Sequence, residues 1–320
     1  MRSPVVAVTD HPFSDLAQER GLLEPLGFQF RVGQCKTEED VIELCRDADA
    51  ILTNLAPLTA NTVARLERCR IIVRYGIGTD NVDLAAATER GLPVANVPDY
   101  GVQEVADHTM GLLLSAVRKI PAVSARVKAG IWEIRPLPPI MGLQDKTLGL
   151  AGFGNIARAV AQRAQSFNMR VIAFDPYISE AEFAKRNVRK ATWERLLEES
   201  DILSIHLPLN AHTANMLNAD ALAVMKSTAY VLNTSRGGVI DTEALADALS
   251  RGQIGGAALD VLDREPLPPD HPLLSLDQCL ITSHCAWYSE DSIRRLQHGA
   301  AAEVARLFSG EKPRNIVNLR

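Results

Sequence analysis

Long apolar runs are missing from this 320-residue sequence, and no stretch approaches the roughly 20 apolar residues that a transmembrane helix requires. The N-terminus, MRSPVVAVTDHPF, has neither the apolar core nor the small-residue cleavage pattern of a secretory signal. A cytoplasmic location is therefore expected. An excess of one charge is missing too: 34 Lys and Arg stand against 39 Asp and Glu, for a net charge of −5. That excludes the basic footprint of a nucleic-acid binder, and acidity this mild implies no cationic partner. Cysteine is scarce, with five residues at 35, 45, 69, 279 and 285 and no C-x-x-C pair. Neither a disulfide framework nor zinc is indicated, and no metal is expected. Cys285 beside His284 reads as a small apolar residue at a strand end rather than as a nucleophile. Internal repeats and low-complexity segments are absent as well.

What is present is enough chain for two domains with real cores. Short apolar runs alternate with helical patterns, the signature of β-α units stacked around parallel sheets. The first block has strand-like runs at Val5–Val8, Ala50–Leu52, Ile71–Val73 and Pro93–Ala95, with helix-like stretches near 12–24, 37–47, 59–68 and 83–90 between them. A helical segment follows from Val102 to Lys119. Then comes a proline-punctuated stretch, Ile131 to Met141, that can be neither regular helix nor central strand. A second series has about six strands: Thr147–Ala151, Val171–Phe174, Ile202–Ile205, Ala229–Leu232, Ala257–Leu259 and Leu280–Thr282. A helix from about Glu290 to Ser309 and a short apolar tail close the chain. The expected fold class is α/β, with two domains, Rossmann-like and flavodoxin-like, built on parallel sheets and separated by an inter-domain cleft. Ligands in such folds gather at the loops beyond the C-terminal strand ends.

One of those loops carries a dinucleotide signature. Thr147–Ala151 runs into Gly152-Phe153-Gly154-Asn155-Ile156-Ala157 and then a helix. Gly152 permits the tight turn, Gly154 lets backbone approach a pyrophosphate, and Ala157 allows close helix–strand packing. The phosphates then meet unpaired N–H groups at the helix start, at Asn155 and Ile156. The next strand ends at Asp175, a carboxylate suited to ribose hydroxyls and repulsive to a 2′-phosphate, so NAD(H) is favoured over NADP.

Three later strand ends carry polar residues in an order that suits hydride transfer. Arg236 lies between Ser235 and Gly237-Gly238, where a guanidinium can hold a carboxylate through paired donors. Asp260 and Glu265 follow the next strand, and His284 ends the last. Reduction of a 2-oxo acid needs a proton donor at the carbonyl oxygen, and histidine suits that task. A neighbouring carboxylate such as Glu265 would stabilise the imidazolium. His206 and His108 compete for the same role, and spacing alone does not choose among them.

The set Gly152-x-Gly154-x-x-Ala157, His206-x-Pro208-Leu209, Asn233–Gly238, Ala258–Val261, Glu265-Pro266 and Ser283-His284 resembles the D-isomer-specific 2-hydroxyacid dehydrogenase family over nearly the whole chain. The resemblance implies a split substrate domain (1–101 plus 293–320) and an NAD-binding Rossmann domain (102–292) with a dimerisation arm near 120–145, hence a homodimer. It implies Arg236 on substrate, His284 as acid/base and Glu265 as its partner. Asp260 would face the nicotinamide carboxamide, and His206, Pro208, Thr234 and Ser235 would line the cofactor. The loop Arg74-Tyr75-Gly76-Ile77-Gly78 would offer backbone N–H groups to the substrate carboxylate. His284–Glu290 is similar to the C-terminal-binding-protein branch, where Trp287 would wall the substrate pocket; an anchoring role for Trp287 stands equally open. The expected function is an NAD-dependent D-2-hydroxyacid dehydrogenase acting on a small 2-oxo or 2-hydroxy acid. The alternatives are a D-3-phosphoglycerate dehydrogenase, against which the cation-free loop Leu52–Thr59 weighs, and an NAD(H)-sensing binding protein.

Overall fold

The structure is a computed structural model that describes residues 2–133 and 139–319. Two compact units emerge, Met1–Gly101 with Tyr288–Arg320 and Val102–Trp287.

The first unit is a five-stranded parallel sheet of β1 (Val5–Val8), β2 (Gln29–Val32), β3 (Ala50–Thr53), β4 (Ile72–Arg74) and β5 (Val94–Ala95), in the order β2-β1-β3-β4-β5. β1 and β3 are buried at every residue, as expected of strands covered by helices on both faces. β2 escapes the sequence pattern because it is an edge strand with exposed ends and only partly buried centre, so it needs no apolar run. Helices α1 (Ala17–Leu23), α2 (Glu38–Cys45), α3 (Ala60–Ala64) and α4 (Leu84–Glu89) connect the strands. Thr37, Thr59 and Asp83 cap the last three with side-chain oxygens.

The second unit opens with α5 (Val102–Val117) and α6 (Ile120–Lys128), then builds a seven-stranded parallel sheet. Its strands are β6 (Thr147–Ala151), β7 (Arg170–Phe174), β8 (Arg189–Lys190), β9 (Ile202–Ile205), β10 (Tyr230–Asn233), β11 (Gly256–Leu259) and β12 (Cys279–Ile281). The order β12-β11-β10-β9-β6-β7-β8 reverses direction between β6 and β9, the dinucleotide-binding arrangement. The seventh strand beyond the expected six is β8, a two-residue edge of Arg and Lys with no apolar signal. Between strands lie α7 (Asn155–Ser166), α8 (Glu180–Ala184), α9 (Trp193–Glu199), α10 (Ala219–Ala223) and α11 (Thr242–Ser250). Alternate strand residues feed separate cores on the two faces. Leu148, Leu150 and Leu232 pack with α5 and α7, whereas Leu203, Ile205 and Val231 pack with α9, α10 and α11.

The last helix, α12 (Glu290–Phe308), belongs wholly to the first unit. The return falls at Tyr288 rather than at 293, because Ser289 caps α12 in a reciprocal pair with Ser292 and the helix stays in one piece. Its tail is tied beside β5, where Val94 N–H donates to Asn318 Oδ1 and Val317 N–H to the Val94 carbonyl. Residues 134–138 of the expected dimerisation arm lie outside the described residues. Among the described residues no helix is long and apolar enough to cross a membrane.

Candidate active site

The glycine turn after β6 is dictated by backbone crowding. Gly152 has φ +92°, and a Cβ there would lie 2.6 Å from the carbonyl oxygen of His206, which follows β9. Only glycine fits where those two strand ends meet. Gly154, two residues on, faces open space, so an added Cβ would touch nothing within 4 Å. It is the N-cap of the twelve-residue α7 and supplies no capping side chain, leaving the amides of the first turn, including Asn155 and Ile156, for an anion. Asp175 at the end of β7 accepts the Phe153 N–H (2.9 Å) through Oδ2 and the Tyr177 N–H (3.0 Å) through Oδ1. It therefore holds the turn in shape and keeps lone pairs for ribose hydroxyls. An open, amide-rich turn with a carboxylate at the neighbouring strand end fits NAD.

The catalytic candidates converge from the ends of β10, β11 and β12. His284 Nδ1 lies 2.7 Å from Glu265 Oε2, and Glu265 Oε1 accepts the Leu262 N–H at 2.9 Å. The carboxylate is thus fixed at both oxygens. With Nδ1 engaged, Nε2 is the ring atom left to exchange a proton with a ligand. His284 sits in the left-handed region at φ +53°. Two bonds sustain that backbone: its N–H donates to the Asp260 carbonyl (2.8 Å), and its own carbonyl accepts the Trp287 indole N–H (2.9 Å). Trp287 therefore has a definite anchoring role on the histidine.

Asn233, fully buried at the end of β10, organises the arginine loop. Its Oδ1 accepts from the backbone and hydroxyl of Ser235 (3.0 and 2.9 Å), and its Nδ2 donates to the Arg236 carbonyl (2.9 Å). Spacing alone had not marked it as more than part of a motif. Gly237 explains the glycine pair, since a Cβ there would fall 1.8 Å from the Leu262 carbonyl carbon. The arginine loop and the segment leading to Glu265 can lie together only without that side chain. Thr234 is nearly buried and pairs with Thr109 Oγ1 at 2.9 Å. Because Thr109 donates its own proton to the Val105 carbonyl, Thr234 is the donor in that pair. Pro208 is exposed, and its carbonyl accepts the Thr213 hydroxyl.

Two expectations change on contact with the geometry. Asp260, expected to face the nicotinamide carboxamide, has a side chain only 1% exposed. Its Oδ1 accepts from the Thr282 hydroxyl (2.5 Å) and Cys285 N–H (3.0 Å), and its Oδ2 accepts from the Ala286 N–H (2.9 Å). Its structural work is to pin the loop that carries His284. Tyr75 is withdrawn from the substrate loop: its N–H donates to the Thr53 carbonyl, and its hydroxyl donates to Glu19 Oε1 (2.9 Å) in the core of the first unit. Burial raises the Glu19 carboxyl above its ordinary range. Gly76 (φ +138°) lies under the Arg74 guanidinium, where a Cβ would collide with Nη1 at 1.5 Å. Ile77 is exposed, and Gly78 is half-buried.

The competing histidines separate clearly. His206 is held at about 4 by burial, and its Nε2 pairs with the buried Ser204 hydroxyl at 2.9 Å. It is neutral at pH 7 and poorly suited to supply a proton there. His108, on α5, places Nε2 3.1 Å from Thr282 Oγ1.

Comparison with known proteins shows the family. Residues 110–286 match the model of the D-isomer-specific 2-hydroxyacid dehydrogenase NAD-binding domain. A glyoxylate reductase of Korarchaeum cryptofilum is 38% identical over 87% of this chain and 85% of its own length. A D-3-phosphoglycerate dehydrogenase of Methanocaldococcus jannaschii is 35% identical over 98% of this chain, which spans only 59% of that protein. The structure of Aquifex aeolicus D-lactate dehydrogenase, complexed with NAD and lactic acid, aligns with TM-score 0.88 and 26% identity, covering 98% of this chain and 99% of that one. This chain belongs to the D-isomer-specific 2-hydroxyacid dehydrogenases, a family of NAD-dependent oxidoreductases acting on 2-hydroxy acids.

Proposed function

We propose that this protein interconverts a small 2-oxo acid and its D-2-hydroxy acid, with His284 as the acid/base, Glu265 as its partner and Arg236 as the holder of the substrate carboxylate. The observation that carries the proposal is the His284 Nδ1–Glu265 Oε2 contact of 2.7 Å, which leaves Nε2 for the substrate oxygen. The Gly152–Ile156 turn and Asp175 would hold NAD(H), which when bound would supply or accept the hydride at the substrate carbon. In the reducing direction Nε2 delivers a proton to the carbonyl oxygen, and Glu265 stabilises the ring while it carries the positive charge. In the oxidising direction the same atom takes the hydroxyl proton. Arg236 offers the fixed donor fork that a planar carboxylate matches. Its Nη1 donates to the Ser235 carbonyl at 2.8 Å, a bond that sets the direction of the fork. His206, Pro208, Thr234 and Ser235 are proposed to line the cofactor, Gly76–Gly78 to serve as the first unit's carboxylate-binding segment, and Trp287 to border the substrate.

A second reading, a phosphorylated substrate, is favoured by one observation. The loop Leu52–Thr59 has no cation of its own, but Arg74 reaches it, donating from Nε to the Asn54 carbonyl at 3.2 Å. Cationic side chains dominate phosphate recognition. NADH oxidation against glyoxylate, hydroxypyruvate, pyruvate and phosphohydroxypyruvate separates the two. Turnover of a small unphosphorylated acid is the expected result, and exclusive use of phosphohydroxypyruvate would establish the second reading. Tight NADH binding with no turnover of any acid would replace both with a sensing role. The protein is also proposed to act as a cytoplasmic homodimer. α6 buries none of its residues, and with Ile120, Val127, Ile131 and Trp132 it presents exposed apolar surface. Light scattering that returned a monomer would contradict that assembly.

A further inference from the structure

We propose that His108, Asp260 and Cys285 form a binding site for zinc, whose occupation switches the enzyme off. The three residues come from different parts of the second unit: α5, the end of β11 and the loop after β12. One ligand atom from each lies within 4.8 Å of the other two. Asp260 Oδ1 is 3.5 Å from His108 Nε2 and 3.7 Å from Cys285 Sγ. Around a tetrahedral zinc with ordinary bond lengths, the nitrogen–oxygen and sulfur–oxygen edges are about 3.4 and 3.6 Å. Two edges of the triangle therefore have the required length already, and the histidine–cysteine pair lies within 4.8 Å.

The donor set selects the metal. Calcium and magnesium take oxygen ligands, whereas one thiolate, one imidazole and one carboxylate suit zinc. The Asp260 side chain is 1% exposed, but that of His108 is 26% exposed, so solvent has a route to a fourth position on the histidine side. Three protein ligands plus water form a common zinc arrangement.

Binding forms bonds to Sγ, Nε2 and Oδ1. The Cys285 thiol releases its proton to solvent, and His108 exchanges its Nε2 proton for one on Nδ1, so one proton is released overall. Oδ1 accepts from the Thr282 hydroxyl, the Cys285 N–H and, at 3.7 Å, the Cys285 thiol, whose place the metal takes. A metal that draws Sγ and Oδ1 together also pulls on the Cys285 backbone, whose N–H is bonded to the same oxygen. Cys285 follows His284 in the chain, so the loop that fixes the histidine against Glu265 is loosened. That last consequence rests on the proposed role of His284, but metal binding does not.

Cobalt(II) titration of the full chain tests the site without any substrate. The expected result is a thiolate-to-cobalt charge-transfer band saturating at one equivalent, removed by zinc, and lost in both Cys285→Ala and His108→Gln. Two variants at separate elements guard against a folding defect in either one. A band missing from the wild-type protein, or persisting in Cys285→Ala, would overturn the site. For the switch, zinc should abolish NADH oxidation of the wild type reversibly with chelator and leave Cys285→Ala turning over. Zinc that displaces cobalt yet leaves turnover intact would overturn the switch alone. A protein inactive on every oxo acid would still give the cobalt answer, so the two proposals fail separately.

Discussion

The two sheets solve the same topological problem in opposite ways. In each, strand order reverses beside the first strand, between β1 and β3 in one unit and between β6 and β9 in the other. Such switch points open a crevice lined with loop amides. In the first unit that crevice is filled from within. Asp10, two residues beyond β1 and 9% exposed, accepts the N–H groups of Asn54 and Leu55 at 3.0 and 2.7 Å, and the Thr9 hydroxyl at 2.8 Å. In the second unit the turn after β6 carries no acidic side chain, and Gly154 leaves the α7 amides uncapped. In the first crevice the loop amides are taken by a carboxylate. In the second, Asp175 takes only the Phe153 N–H of the turn, and the first amides of α7, which no side chain caps, are left for an anion from outside. Sheet topology alone therefore does not make a nucleotide site; what occupies the amides decides.

The largest effect expected from breaking this contrast is at Gly152. Gly152→Val puts a branched side chain at φ +92° against the His206 carbonyl oxygen and near Leu207. Strain of about 3 kcal/mol or more is expected, read as NADH binding weakened more than about 100-fold by fluorescence titration. The counterpart in the other sheet is Asp10→Ala, which leaves the Asn54 and Leu55 amides without a partner. It should lower stability by about 2–3 kcal/mol in denaturant unfolding while NADH affinity stays within about twofold. If NADH binding fell with Asp10 as it does with Gly152, the division of roles between the crevices would be wrong.

A smaller effect is expected from His206, whose carbonyl crowds Gly152. Its folded pKa is about 4, below the roughly 6.5 of an unfolded histidine. The unfolded chain therefore binds more protons between those values. Its contribution to stability is complete above pH 6.5, falls as pH drops toward about 4, and is level below that. His206→Asn should flatten this part of the stability–pH curve; an unchanged slope would show that the imidazole is not held neutral.

Most of the architecture was legible because buried parallel strands read as plain apolar runs. Val5–Val8, Thr147–Ala151 and Ile202–Ile205 fall where their hydrophobicity places them. The strands that escaped, β2 and β8, are sheet edges, where solvent removes the need for apolar residues. The glycine turn, Arg236, Glu265 and His284 stand out as candidates in the sequence because each lies at a strand end beside residues with few other uses. A linear sequence does not show the intramolecular partners of Asp260 and Tyr75, namely Thr282, Cys285 and Ala286 for the first and Thr53 and Glu19 for the second. The His108–Asp260–Cys285 triangle was hidden for a related reason: its members lie on three separate elements, with no metal-ligand spacing between them.

In the proposed reaction His284, oriented by Glu265, moves the proton that accompanies hydride transfer. The most direct test is steady-state NADH oxidation by His284→Ala on the best oxo acid, paired with NADH titration of the same protein. A fall in kcat of about 10²- to 10⁴-fold with NADH affinity little changed is the predicted result. Near-normal kcat in that variant would rule out His284 as the proton donor.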